Sequence, residues 1–275
     1  MTKLKHIQAV VLDWAGTALD YGSRAPAFVF QEVFRQRGVP ITVAQAREPM
    51  GMAKRDHIKA IASMPDIASG WREKHGKDCS EADIDQMYAD FIPLQKSVLS
   101  DYSQMIDGVV DLAKELQSNG IKIGSSTGYT RELMDDVVIP AAKQQGYEPD
   151  CVLGAEDAPK GRPAPFMLHE IARRFEVFPM WRIVKVDDTP VGVTAGRNAG
   201  CWSVGVTQTG NCVGLSKEEF EALSPEEQTS LIENAEQQLL AAGAHAVVRG
   251  TADLGPILAD FDARLEAGER PAWPT

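Results

Sequence analysis

Apolar positions along this chain follow two different periods, and the change from one to the other divides it. Ala9-Val10-Val11-Leu12 is a short unbroken apolar run, as expected of a strand buried on both faces. It stops at Asp13-Trp14-Ala15-Gly16-Thr17, and Gly16 permits a sharp turn there. From about residue 26 to residue 100 the period is helical and no strand is predicted. Residues 27–34 form an amphipathic helix closed by Gly38 and Pro40, and Thr42 N-caps a second. A third runs from about 52 to 64 and is stopped by Pro65; a fourth follows Ser80-Glu81-Ala82-Asp83, a capping-box variant.

After Gly108 strands and helices alternate. A helix from Val109 ends at Asn119-Gly120, and a strand from Ile121 breaks into Ser125-Ser126-Thr127-Gly128. Residues 131–138 read as helix, 151–153 as strand, and 165–175 as a helix whose start is fixed by Pro163 and Pro165. The strand from Arg182 ends in Asp187-Asp188-Thr189; a helix over 191–199 closes at Gly200, and 201–206 is again a strand. Ser216 with Glu219 and Ser224-Pro225 with Glu227 start two further helices, the second running to about 242, before a last strand over 244–248 and a helix over 254–265. This alternation predicts an α/β fold, a Rossmann-like parallel sheet with helices on both faces and a helical module inserted after the first strand. The expected division is 1–21 with 105–275 as the α/β core and 22–104 as the insertion.

Composition narrows the possible roles. With 44% hydrophobic and 24% charged residues, the 275-residue chain is ordinary globular protein. A net charge of −11 repels polyanions and argues against nucleic acid as a partner. There is no membrane-length apolar run and no signal-peptide pattern at the start, so the cytoplasm is the expected location. Cys79, Cys151, Cys201 and Cys212 are far apart and point to neither a disulfide frame nor a zinc site. Trp71 and Trp273 are read as surface residues without a role.

Strand C-termini of a parallel sheet share one edge, where ligands bind. Asp13, Ser126 with Thr127, the loop carrying Lys160 and Arg162, and Asp187 with Asp188 can therefore converge. Asp13 can act as nucleophile, Thr127 as donor to an anion and Arg162 or Lys160 as its counter-charge; the paired aspartates can hold a hard cation such as Mg²⁺. That set suits phosphoryl transfer. In the insertion, Met50, Lys54, His57, Ile58 and Ile61 share one helical stripe, which places Lys54 on the apolar face. Desolvation lowers a lysine pKa and suits it to Schiff-base formation. A snorkelling lysine beside a core histidine is the competing interpretation of the same stripe.

The four loop motifs, in order, resemble those of the haloacid dehalogenase-like superfamily, with the insertion in place of its cap domain. Phosphatases of that superfamily carry a second Asp two residues after the nucleophile to protonate an alkoxide leaving group; here the position is Ala15. Closer resemblance is to the phosphonoacetaldehyde hydrolase (phosphonatase) family. It rests on Asp13-Trp14-Ala15-Gly16-Thr17, Pro49-Met50-Gly51 with Lys54 and His57, Thr127-Gly128-Tyr129, Gly161-Arg162-Pro163 and Gly196-Arg197-Asn198-Ala199-Gly200. The resemblance implies an imine on Lys54, attack by Asp13 on phosphorus, C–P cleavage to an enamine and an aspartyl-phosphate, then hydrolysis to phosphate and acetaldehyde. It also implies one Mg²⁺ per subunit, held by Asp13, the Ala15 carbonyl and Asp188 with Asp187 beside them. Arg162 and Thr127 would neutralise the phosphonate, with Ser126 and Gly128 in the same substrate loop, while Met50, His57 and Tyr129 would shape the surroundings of Lys54. A homodimer is implied as well. Gly192 departs from a common pattern with an Asp there, and Asp187 is expected to compensate. A dehalogenase, a phosphatase or a non-catalytic phosphometabolite-binding relative are the alternatives.

Overall fold

The computed structural model describes residues 4–271, so Trp273 lies outside the described residues. Strand β1 (Ala9–Leu12) leads through a loop into five consecutive helices: α1 (Arg24–Gln36), α2 (Val43–Arg47), α3 (Lys54–Ala62), α4 (Pro65–His75) and α5 (Glu81–Leu99). There follow α6 (Val109–Ser118), β2 (Lys122–Ser126), α7 (Arg131–Leu133), a π-helical turn (Met134–Val138) and α8 (Ile139–Gln144). The remainder is β3 (Cys151–Leu153), α9 (Phe166–Phe175), β4 (Ile183–Asp187), α10 (Pro190–Ala199), β5 (Trp202–Val206), α11 (Lys217–Glu221), α12 (Pro225–Ala241), β6 (Ala246–Val248) and α13 (Leu254–Glu266).

All strand pairs are parallel, in the order β3-β2-β1-β4-β5-β6. Alternation along β1 separates two cores. Val10 and Leu12 pack with Val184, Val186, Trp202 and Phe261 on one face, and Ala9 and Val11 pack with Ile171, Ile183 and Ala195 on the other. Helices α1–α5 bury a cluster of their own around Phe30, Phe34, Ile58, Trp71 and Phe91. Asp20 ties the two parts together: its carboxylate accepts the N–H groups of Arg24 and Ala25 at the start of α1, and burial pushes it up to about 7.

Three expectations are corrected here. The third helix ends at Ala62, ahead of Pro65 as expected, but Pro65 then starts a further helix, α4, at its first turn, where the missing N–H is harmless. Trp71, on that helix, is buried in the helical cluster rather than on the surface. The helix at 131–138 also continues past Pro140, through the π turn into α8. Capping boxes at Ser80, Ser216 and Ser224 form as the sequence predicts, and Thr42 caps α2 as expected, with Gln45 completing a box there as well.

Candidate active site

At the C-terminal edge of the sheet the loops close on one another. Asp13 follows β1, its N–H bonded to the Val186 carbonyl of β4, and Thr127 follows β2, bonded to Leu153 of β3. Gly16 has φ +77°, and a Cβ there would lie 2.2 Å from Asp188 Oδ2, so only glycine lets the β1 loop approach Asp188. Thr17 Oγ1 donates to Asp188 Oδ1 (3.2 Å) and the Asn211 N–H to Asp188 Oδ2 (2.8 Å).

Asp13, Asp187 and Asp188 place carboxylate oxygens within 4.8 Å of one another, all buried. They are not equivalent. Asp187 is saturated with donors: Arg162 Nη1 (2.7 Å) and Lys185 Nζ (2.9 Å) on Oδ2, the Thr189 N–H (3.1 Å) and hydroxyl (2.7 Å) on Oδ1. Burial works against its ionisation, but the Lys185 and Arg162 cations outweigh that and hold it below the usual carboxylate range. Asp13 Oδ1, by contrast, is buried without a partner, while Oδ2 lies 3.3 Å from Arg162 Nη1. Burial pushes Asp13 up, Arg162 opposes it and Asp187 adds to it; Asp188 is pushed well up by burial and by its two acidic neighbours. Crowded carboxylates with an orphaned oxygen, and an Ala15 carbonyl that receives no hydrogen bond from the described residues, suit a hard divalent cation. Asp13, Ala15 and Asp188 have ligand capacity to spare; Asp187 has none.

Gly192 explains where Asp187 fits. A Cβ on residue 192 would fall 1.9–2.1 Å from the Asp187 carboxyl atoms, so a side chain at 192 and the Asp187 carboxylate exclude each other. Arg162 is buried against Asp13 and Asp187, whereas Lys160 is exposed on the loop. The Asn198 side chain fastens that loop to α10 through the Pro163 carbonyl (2.8 Å).

The helical module closes over this edge. Gly51 has φ +95° and a Cβ there would meet Thr189 Oγ1 at 2.5 Å; a Cβ at Gly128 would meet the Met52 carbonyl at 2.6 Å. Asp13, Ala15, Ser23, Pro26, Met50, Gly51, Met52, Lys54, Thr127, Gly128, Tyr129, Arg162 and Thr189 surround about 20 Å³ of free space, room for roughly one water. Lys54 opens α3 and is 5% exposed. Its Nζ lies 4.8, 5.5 and 5.9 Å from the ring centres of Tyr129, Phe30 and Phe91, and no carboxylate among the described residues comes within 4.0 Å. Burial, reinforced by the Arg162 charge, lowers its pKa from 10.5 to about 7, against a smaller pull from Asp13 and Asp20.

His57 sits behind Lys54 rather than in the cavity wall. Its ring stacks on Phe30 (3.7 Å between centres), and Nε2 is 2.9 Å from the Ala46 carbonyl. That carbonyl can only accept, so Nε2 carries the proton and the buried Nδ1 is a free lone pair. Burial and then Lys54 keep the ring neutral. Ser126 is buried beneath the loop and does not reach the cavity, and the Thr127 hydroxyl accepts the Tyr129 N–H (3.1 Å). The sequence does not single out Ser23, Met52, Lys185, Arg47 or Asn211. Lys185 was visible as a charge within an apolar strand; the others carry no local signal.

The haloacid dehalogenase-like hydrolase family profile matches residues 7–200. Phosphonoacetaldehyde hydrolase of Paraburkholderia phytofirmans is 46% identical over 268 residues, covering 98% of this chain and 100% of that protein. The enzyme of the same name from Salmonella gallinarum is 44% identical over 270 residues, with 98% and 100% coverage. Among solved structures, a phosphonoacetaldehyde hydrolase-like protein from Oleispira antarctica superposes with a TM-score of 0.95 at 41% identity, over 98% of both chains.

Proposed function

This chain belongs to the haloacid dehalogenase-like hydrolases and, within them, to the phosphonoacetaldehyde hydrolase family, and from that footing we propose that it cleaves the carbon–phosphorus bond of phosphonoacetaldehyde to acetaldehyde and phosphate. One observation carries the reading. A lysine buried with no carboxylate within 4.0 Å among the described residues shares a small cavity with an aspartate, and the position from which an acid would protonate an oxygen leaving group is Ala15. Lys54 adds to the aldehyde, water departs, and the iminium becomes an acceptor for the electron pair of the C–P bond. An Asp13 oxygen attacks phosphorus; the C–P pair moves into the carbon framework, leaving an enamine on Lys54 and an acyl phosphate on Asp13. Such a leaving group needs no proton at the moment of cleavage, consistent with Ala15. Water then releases phosphate from Asp13. Protonation of the enamine carbon and hydrolysis of the iminium release acetaldehyde and restore the amine.

Arg162, buried against Asp13, and Thr127 neutralise the phosphonate oxygens, while Met50, Tyr129 and the loop at Gly128 hold the aldehyde end near Lys54. The free Nδ1 lone pair of His57, on a ring held neutral, is a hydrogen-bond acceptor within the Lys54 surroundings. Asp13, the Ala15 carbonyl and Asp188 are the residues that would hold Mg²⁺, which, when bound, offsets the repulsion between Asp13 and an anionic phosphonate. Asp187 is assigned the positioning of Arg162 and Lys185. Residues 22–104 act as the cap, and the working unit is a homodimer, which sedimentation velocity tests directly. The main test is borohydride reduction with phosphonoacetaldehyde followed by peptide mass analysis. Modification confined to Lys54 is expected; modification elsewhere, or full turnover by Lys54→Ala, refutes the imine route.

A further inference from the structure

Arg47 joins three separate pieces of chain, and none of the chemistry above uses it. It ends α2 on the helical module. Its Nη1 donates to the Gly22 carbonyl (2.8 Å), the Ser23 carbonyl (3.3 Å), Asn211 Oδ1 (2.9 Å) and the Asn211 carbonyl (3.4 Å), and Nη2 donates to the Gly214 carbonyl (2.9 Å). Asn211 returns a bond from Nδ2 to the Arg47 carbonyl (3.3 Å). The contact is fitted: a Cβ on Gly214 would stand 2.7 Å from the guanidinium carbon.

One end of this junction leads to the cavity and the other to the carboxylate cluster beside it. Three residues beyond Arg47 the chain reaches Met50, Gly51 and Met52, which line the cavity, and then Lys54. On the other side, the backbone N–H of Asn211 is one of the two donors that fix Asp188. We propose that Arg47 is a positioning residue, a latch that couples closure of the helical module over the cavity to the placement of Asp188. The inference rests on the reading of Lys54 and Asp188 given above. Arginine suits the task because a planar fork can serve several carbonyls at once, which an ammonium cannot. By linkage, whatever favours the Asp188 arrangement favours closure, and the reverse.

The test uses the full-length protein with Arg47→Lys and, as a milder variant in case the first folds poorly, Asn211→Ala. The second keeps the backbone donor to Asp188 but removes the side-chain exchange with Arg47. Two measurements are made apart from turnover: Mg²⁺ affinity by calorimetry without substrate, and hydride trapping of Lys54 with phosphonoacetaldehyde at pH 7 in chelated protein. Arg47→Lys is expected to weaken Mg²⁺ about tenfold and to slow trapping at least about fivefold, with Asn211→Ala shifting both in the same direction by less. A lowered Tm with both measurements within about twofold of wild type makes Arg47 a structural staple and overturns the proposal. Weakened Mg²⁺ with unchanged trapping overturns the coupling. Absence of trapping in the wild-type protein refutes the imine reading instead, and the Mg²⁺ comparison still judges the link from Arg47 to Asp188.

Discussion

If Lys54 titrates near 7, its reactivity should show it. An ordinary lysine at 10.5 is neutral in only about one molecule in three thousand at pH 7, whereas one at about 7 is neutral in roughly half. The difference is roughly 5 kcal/mol between the two protonation states, a thousandfold or so in available nucleophile. The assay is cyanoborohydride trapping of Lys54 with phosphonoacetaldehyde in chelated protein across a pH series, read as the rate of mass gain on the Lys54 peptide. The rate should climb through a midpoint near 7 and level off above it. The neighbours supply a sign test. Asp13 pulls Lys54 up and Arg162 pushes it down. Asp13→Asn should therefore abolish turnover, keep trapping and move the midpoint below that of wild type, whereas Arg162→Met should move it above. A wild-type midpoint near 10, or an upward shift in Asp13→Asn, would refute the reasoning, because burial and the guanidinium would then not control this amine.

The same displacement destabilises the fold. Lys54 has a folded pKa of about 7, below its unfolded value of 10.5, so between those values the unfolded chain binds more protons and stability rises with pH; the cost is full below about 7 and gone above about 10.5. Lys54→Met should accordingly raise Tm more at pH 6 than at pH 10, and an equal or larger gain at pH 10 would contradict this. Asp187→Asn leaves Arg162 and Lys185 buried opposite a neutral group and should cost about 3–5 kcal/mol in urea unfolding; a loss under about 1 kcal/mol would show that the pair does not depend on it. Gly192→Ala forces a methyl into the Asp187 carboxylate and should be destabilising even though alanine favours helices; a variant as stable as wild type in the same unfolding assay would mean that α10 yields. Chelation should remove turnover and Mg²⁺ should restore it, while retained turnover after exhaustive chelation would argue for a metal-independent relative.

Much of this was legible in the sequence because the signals were local. An apolar run ending in Asp13, another ending in Asp187-Asp188, and the helical spacing from Lys54 through His57 to Ile61 each predict placement from a few adjacent residues, and the burial of Lys54, His57, Ile58 and Ile61 agrees. Convergence of the loops followed from a parallel sheet having one C-terminal edge. Less was readable where the cause is tertiary. Lys185 and Thr189, which supply three of the four donors on Asp187, stand two residues to either side of it, but Arg162 reaches it from a distant loop, and that Asp187 is the aspartate with no room left for a cation shows only when all four donors are placed together. Adjacency in the sequence groups Ser126 with Thr127, but the pleat turns alternate residues to opposite sides. Trp71 belongs to α4, and with Pro65 read as a stop that segment had no helix to bury it in.

The mutual exclusion of Asp187 and a side chain at Gly192 also constrains how such a site can drift. A carboxylate for Lys185 and Arg162 can be delivered from the strand or, in the same space, from the helix that follows it, but not from both together. A lineage moving from one solution to the other must pass through a protein holding either two colliding groups or two stranded cations. Neither intermediate is neutral, so the exchange requires stability in reserve or two changes fixed together. Residues 187 and 192 should therefore be inherited as a unit, and a substitution tolerated at one of them reports on its partner as much as on itself.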